Sequence, residues 1–201
     1  MKMIELSNSD FKSFINENKY YVDKTLLIED LFSKGSQVVL LPRPRRFGKT
    51  LNLSILKYYF DISEDSRNLF KGLKIEKSKI FKQYLNRYPI IFLTLKEIEG
   101  HSWEEIYGLV KLAISNLYKA QKYLLESDKL DNYDKDIINK IIKGTAESQY
   151  YKTSLKMLSE YLYMHYKKEV VILLGEYDTP VNSIYNKEIY DNILSFIKVL
   201  R

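Results

Sequence analysis

Three short, continuous apolar runs punctuate the chain: Val38 to Leu41, Pro89 to Leu95 (PIIFLTL) and Val170 to Leu174 (VVILL). Runs this short and this apolar predict strands buried on both faces, as in a parallel sheet. Between them the apolar residues recur at helical spacing. Leu51, Ile55, Leu56 and Tyr59 predict a helix that ends near Phe60. Ile106, Val110, Ala113, Leu117, Ala120 and Leu124 predict a long amphipathic helix from Trp103, and Tyr151, Leu155, Leu158 and Leu162 predict another from about Ser148 to Tyr166. Shorter helices follow from capping signals. Asp10 precedes Phe11, Phe14 and Ile15, while Asp23 or Thr25 precedes a face of Leu27, Ile28, Leu31 and Phe32 that stops at Gly35. Ile137, Ile138, Ile141 and Ile142 end at Gly144, and Ile189, Ile193, Phe196 and Ile197 mark a last helix, Glu188 to Leu200. Asp61 to Lys79 is polar and mixed, anchored by Phe70, Leu73 and Ile75. Without repeats, linkers or low-complexity stretches, residues 1–201 read as one α/β domain.

The stretch Val38 to Phe60, VVLLPRPRRFGKTLNLSILKYYF, carries the strongest chemical signal. A strand breaks at Pro42 and Pro44, passes Arg43, Arg45 and Arg46, and reaches Gly48-Lys49-Thr50 at the start of a helix. Strand, loop, Gly-Lys-Thr and helix form the context of a phosphate-binding loop. Backbone N–H groups and the positive end of the helix dipole point at an anion there. Gly48 lets the backbone approach, Lys49 reaches the β- and γ-phosphates, and the Thr50 hydroxyl can ligate Mg2+. The consensus also asks for a glycine at position 43, where this chain has Arg43.

Composition changes this picture little. Zero cysteines exclude a disulfide scaffold and cysteine-based zinc or redox sites. The N-terminus lacks an apolar h-region and no run reaches membrane-spanning length, so a soluble, cytoplasmic protein is expected. The formal charge of +6 permits nucleic-acid binding, yet lysines are spread along every predicted helix and only Arg43, Arg45 and Arg46 cluster. His101 and His165 are too distant in sequence to suggest a metal pair. Trp103 reads as the apolar start of its helix. Tyr58, Tyr59, Tyr161 and Tyr163 fall within predicted helices, where packing is expected rather than base stacking. Glu104-Glu105 and Asp134 with Asp136 read as solvated charge pairs.

Four stretches, YYVDKTLLIEDLF, VVLLPRPRRFGKTLNLSILKYYF, YPIIFLTLKEI and VVILLGEYDTPV, together resemble the AAA-ATPase-like family of P-loop proteins. In that family an ATPase-like domain is often followed by a PD-(D/E)XK nuclease-like domain, and the loop itself reads R-P-R-R-F-G-K-[ST]-L. The resemblance implies a P-loop NTPase-type α/β fold, a three-layer sandwich on a mainly parallel sheet. It implies a Walker A loop of Arg43, Pro44, Arg45, Arg46, Phe47, Gly48, Lys49, Thr50 and Leu51 that binds ATP. Arg45 and Arg46 could touch the γ-phosphate or a nucleic-acid backbone. Asp23-Lys24-Thr25 belongs to the family pattern and lies where AAA-like proteins often seat the adenine, while by itself it reads as a helix cap.

Val170 to Leu174 would be the Walker B strand. The family usually has Leu-Ile-Asp-Glu-Tyr-Asp there, and this chain has Leu-Leu-Gly-Glu-Tyr-Asp. Gly175 thus replaces the carboxylate expected to hold the Mg2+ shell. Glu176 occupies the position of the group that orients the attacking water, and on a strand it would face away from its neighbour. Asp178 is a candidate replacement metal ligand. The expectation is an ATP binder with weak or absent hydrolysis. The alternative is a nucleic-acid- or protein-binding module that keeps the scaffold without using nucleotide. The strand and helical lid that would follow Walker B are not found before Arg201. The sequence therefore reads as the N-terminal portion of a longer architecture, and an exposed sheet edge at Val38 to Leu41 would favour self-association. No Asp…Glu-x-Lys nuclease signature can be assigned.

Overall fold

A computed structural model describes residues 9–33, 35, 38–41, 47–176, 179 and 191. The chain divides into two compact units, residues 1–90 and 91–201. The described residues give a mixed α/β structure with a two-stranded parallel sheet.

The first unit is built around α3 (Lys49–Phe60), packed with α1 (Phe11–Asn16), α2 (Leu27–Ser33) and α4 (Lys79–Tyr84). Its core is aromatic. Phe70 is fully buried and meets Phe11, Tyr59 and Phe81 at ring-centroid distances of 5.1, 5.7 and 6.0 Å. Such pairs contribute about 0.5–1.5 kcal/mol each beyond the area they bury. Polar groups then fix α3 at its sides and end. Asp10 caps α1 by accepting from Ser13 N at 2.9 Å, and its other oxygen accepts from the Tyr58 hydroxyl of α3 at 2.8 Å. Phe11 N donates to Ser54 Oγ of α3 at 2.9 Å. The Asn86 amide donates to the Tyr58 and Asp61 carbonyls at 3.2 and 2.7 Å, satisfying acceptors that the helix C-terminus leaves open.

Short 3-10 turns, Arg67–Phe70 and Lys74–Lys77, place Phe70 and Ile75 in this core. These turns and α4 lie in a stretch whose mixed polarity offers no periodicity. Val38 to Leu41 departs from expectation: it lies outside helix and strand, and Val38 and Leu40 are 83% and 62% exposed. An apolar run becomes a buried strand only inside a ladder that covers both its faces, and among the described residues the sheet contains β1 and β2 alone.

The second unit contains β2 (Val171–Gly175) and all of β1 (Ile90–Thr94) but its first residue, both strands within a residue of the sequence-derived bounds. Its core joins Ile91 and Leu93 to the apolar faces of α5 (Trp103–Ala120), α6 (Asn132–Ile142), α7 (Ser148–Lys152) and α8 (Ser154–Tyr166). Two hydrogen bonds lock the helices together: Tyr118 Oη to the Ser154 carbonyl at 2.8 Å and Ser115 Oγ to the Ile141 carbonyl at 2.7 Å. The long helix expected from Trp103 ends at Ala120, and a 3-10 turn, Lys122–Glu126, keeps Leu124 buried. The helix expected from Ser148 breaks at Thr153, whose hydroxyl donates back to the Gln149 carbonyl at 3.0 Å and competes with the helical ladder. The last expected helix, Glu188 to Leu200, lies outside the described residues apart from Asp191.

Candidate functional site

Gly48 caps α3 in the left-handed region, φ 75° and ψ 27°, a conformation open to glycine at little cost. Asn52 N closes the first turn onto the Gly48 carbonyl at 2.9 Å. No side chain caps this end, and the first turn holds no acidic residue. The positive pole of a twelve-residue helix is therefore left without a carboxylate from its own first turn. Lys49 and Thr50 open the helix half-buried, with Leu51 half-buried behind them, while Phe47 is 62% exposed. This is the arrangement expected of a loop that receives an anion at a helix start. Arg43, Pro44, Arg45 and Arg46 lie outside the described residues, as does Asp178.

Asp23-Lys24-Thr25 proves to be a structural clasp with an exposed side chain in its middle. The Asp23 carboxylate accepts from Thr25 N at 2.9 Å, from the Thr25 hydroxyl at 2.6 Å and from Lys74 N at 2.8 Å. The buried Thr25 hydroxyl in turn accepts from Ile75 N at 3.3 Å. The Asp23 carboxylate, expected from the sequence to cap a helix, instead closes a turn on Thr25 ahead of α2 and holds the distant turn Lys74–Lys77. Burial pulls the Asp23 carboxyl upward, but the bonds from the Thr25 hydroxyl, Lys74 N–H and Thr25 N–H outweigh it and hold the group below the ordinary aspartate range. Lys24 remains exposed, and its Nζ lies 3.6 Å from where a Cβ would stand on Gly48. Sequence reading missed this proximity. Its only trace is that Lys24 sits between two residues with structural duties.

In the second unit, Gly175 is the last residue of β2, is buried, and accepts through its carbonyl from Leu95 N at 3.0 Å. The strand ends there. Glu176 takes φ 52°, and its carbonyl accepts from Thr179 N at 3.0 Å. Strand alternation therefore does not decide which way Glu176 faces, because a left-handed residue breaks it. A non-glycine residue held in this region carries strain of order 1–3 kcal/mol, a cost that recurs at functional sites.

Other candidates have structural explanations. Trp103 stacks on Tyr107 with centroids 5.3 Å apart, and His165 Nδ1 pairs with Ser127 Oγ at 2.8 Å. Tyr58, Tyr59 and Tyr161 are buried in packing, and Tyr163 is exposed. Among the described residues no group of His, Cys, Asp or Glu could hold a metal ion, and no helix is long and apolar enough to cross a membrane. A cavity of about 570 Å³ lies against α8, lined by Asp134, Glu160, Tyr161, Met164 and Glu169. Its three carboxylates would repel a polyphosphate, so its size does not make it the anion site.

The family model described as a predicted AAA-ATPase matches residues 6–200, a span that runs through both units. No curated protein and no solved structure matches the chain.

Proposed function

The chain belongs to the AAA-ATPase-like family, and from that premise we propose that it binds ATP at the N-terminus of α3 and hydrolyses it weakly or not at all. The observation that carries this reading is the left-handed Gly48 start of α3, with no acidic residue in its first turn and followed at once by Lys49 and Thr50. Lys49 supplies an ammonium group to the phosphates and Thr50 a hydroxyl to the metal. Arg43, Pro44, Arg45, Arg46 and Phe47 are proposed, on the family pattern alone, to contact the nucleotide as well. Bound Mg2+ neutralises charge that develops on the γ-phosphate. The metal fits this chain incompletely, since Thr50 offers one oxygen but Gly175 has none in its side chain, and Asp178 is left as the candidate replacement. Glu176 is the residue proposed to orient the attacking water. The family match across nearly the whole chain supports one P-loop domain of three-layer type.

Nucleotide binding and turnover test separate parts of this reading. Lys49→Ala is expected to weaken ATP binding at least tenfold, and unchanged binding would remove α3 as the site. Gly175→Asp is expected to raise hydrolysis from its starting level. If turnover stays where it was, the missing carboxylate is not what limits it.

A further inference from the structure

Three features meet at the start of α3, all within the first unit. The helix starts at a glycine and its first turn lacks an acid, Lys49 stands in that turn, and a second ammonium group, Lys24 Nζ, lies 3.6 Å from the Cβ position of Gly48. Among the described residues no carboxylate forms an ion pair with Lys24, whereas Lys12, Lys19, Lys129 and Lys140 each have one. The backbone that carries Lys24 is nevertheless tightly held. Lys24 N donates to the Tyr21 hydroxyl at 3.3 Å, and the neighbours on either side are fastened to the turn Lys74–Lys77 by Asp23 and Thr25. A flexible cation on a rigid base, set at the positive pole of a helix, is unfavourable without a counter-charge and favourable once an anion arrives. Its position beside the glycine backbone matches the place where phosphate oxygens approach a loop of this kind.

We propose that Lys24 is a second phosphate-binding cation of the nucleotide site, working beside Gly48 together with Lys49. The inference rests on the reading of α3 as the ATP site and deepens it. Contact to phosphate oxygens alone makes the effect of Lys24 independent of the base. That distinguishes it from a role in seating adenine.

The test titrates ATP and inorganic tripolyphosphate into the full chain, its Lys24→Ala variant and its Lys24→Arg variant, with melting temperatures measured alongside. Lys24→Ala is expected to weaken both ligands about tenfold, equivalent to about 1.4 kcal/mol. Lys24→Arg is expected to hold both within about threefold, because a positive charge remains in reach. The unliganded melting temperature is expected to stay unchanged, since the side chain is exposed and makes no ion pair among the described residues. Wild-type binding that survives intact in Lys24→Ala overturns this inference and leaves the ATP site standing. A loss confined to ATP, with tripolyphosphate unaffected, assigns Lys24 to the base and also overturns it. A wild-type chain that binds neither ligand overturns this inference and the proposed function together.

Discussion

Asp23 shows how one carboxylate can hold a functional neighbour in place without touching the ligand. Its three hydrogen bonds tie residues 23 to 25 to the turn Lys74–Lys77 and so set the origin of the Lys24 side chain. The carboxyl's pKa in the folded chain lies below its ordinary value of 3.8. Its stabilising contribution is therefore complete above about pH 4 and is lost as the pH falls through the lowered value. Asp23→Asn is expected to cost about 1–2 kcal/mol at pH 7, kept modest by partial exposure. Denaturant midpoints of the two proteins are expected to converge below pH 3.8, the ordinary value. A gap that stays constant from pH 7 to pH 3 would show that the ionised carboxylate is not the source. Little of this was legible in the sequence. Asp-Lys-Thr offered a cap at its own position, but a bond spanning 51 residues leaves no local signature. Gly48 was different: a glycine ahead of Lys-Thr at a helix start fits the left-handed backbone found there, while its phosphate chemistry is the proposal.

At the scale of elements, α3 is the part whose rigidity the site requires, and aromatic packing provides it. Phe70 joins α1, α3 and α4 through Phe11, Tyr59 and Phe81. Phe70→Ala is expected to destabilise the first unit by about 3–5 kcal/mol, measured by urea unfolding. A cost below about 1 kcal/mol would mean that the cluster does not hold the unit together. Helical periodicity located α3, α5 and α6 because each buries a single continuous stripe. It overlooked α4 and ran α7 and α8 together, since neither a six-residue helix nor a threonine-induced break changes the pattern enough. Two apolar runs became β1 and β2, while Val38 to Leu41 did not become a strand. Hydropathy records the wish to be buried, and a ladder partner decides the outcome. Glu176 illustrates the same limit at a strand end. Alternation is a rule for strands, and the backbone leaves the strand one residue earlier, at Gly175.

For the whole molecule, the family match to residues 6–200 unites the two units under one description. The choice between functions turns on what the basic charge serves. A net +6 spread over helix surfaces favours no particular nucleic-acid face, whereas Lys24 Nζ lies beside Gly48 and Lys49 follows Gly48 in the chain. Proximity is what a small polyanion recognises, and dispersion is what solubility requires. Salt-sensitive nucleic-acid binding that survives Lys49→Ala would favour the binding-module alternative instead. The central claim is that the start of α3 grips a triphosphate. Calorimetric titration of ATP into the full chain, with Mg2+ and again with the metal chelated, tests it most directly. The account predicts one saturable site that weakens only modestly without the metal, because on the proposed reading Gly175 supplies no metal ligand, and whose heat disappears in Lys49→Ala. Absence of heat from the wild-type chain, or an identical isotherm in Lys49→Ala, would contradict it.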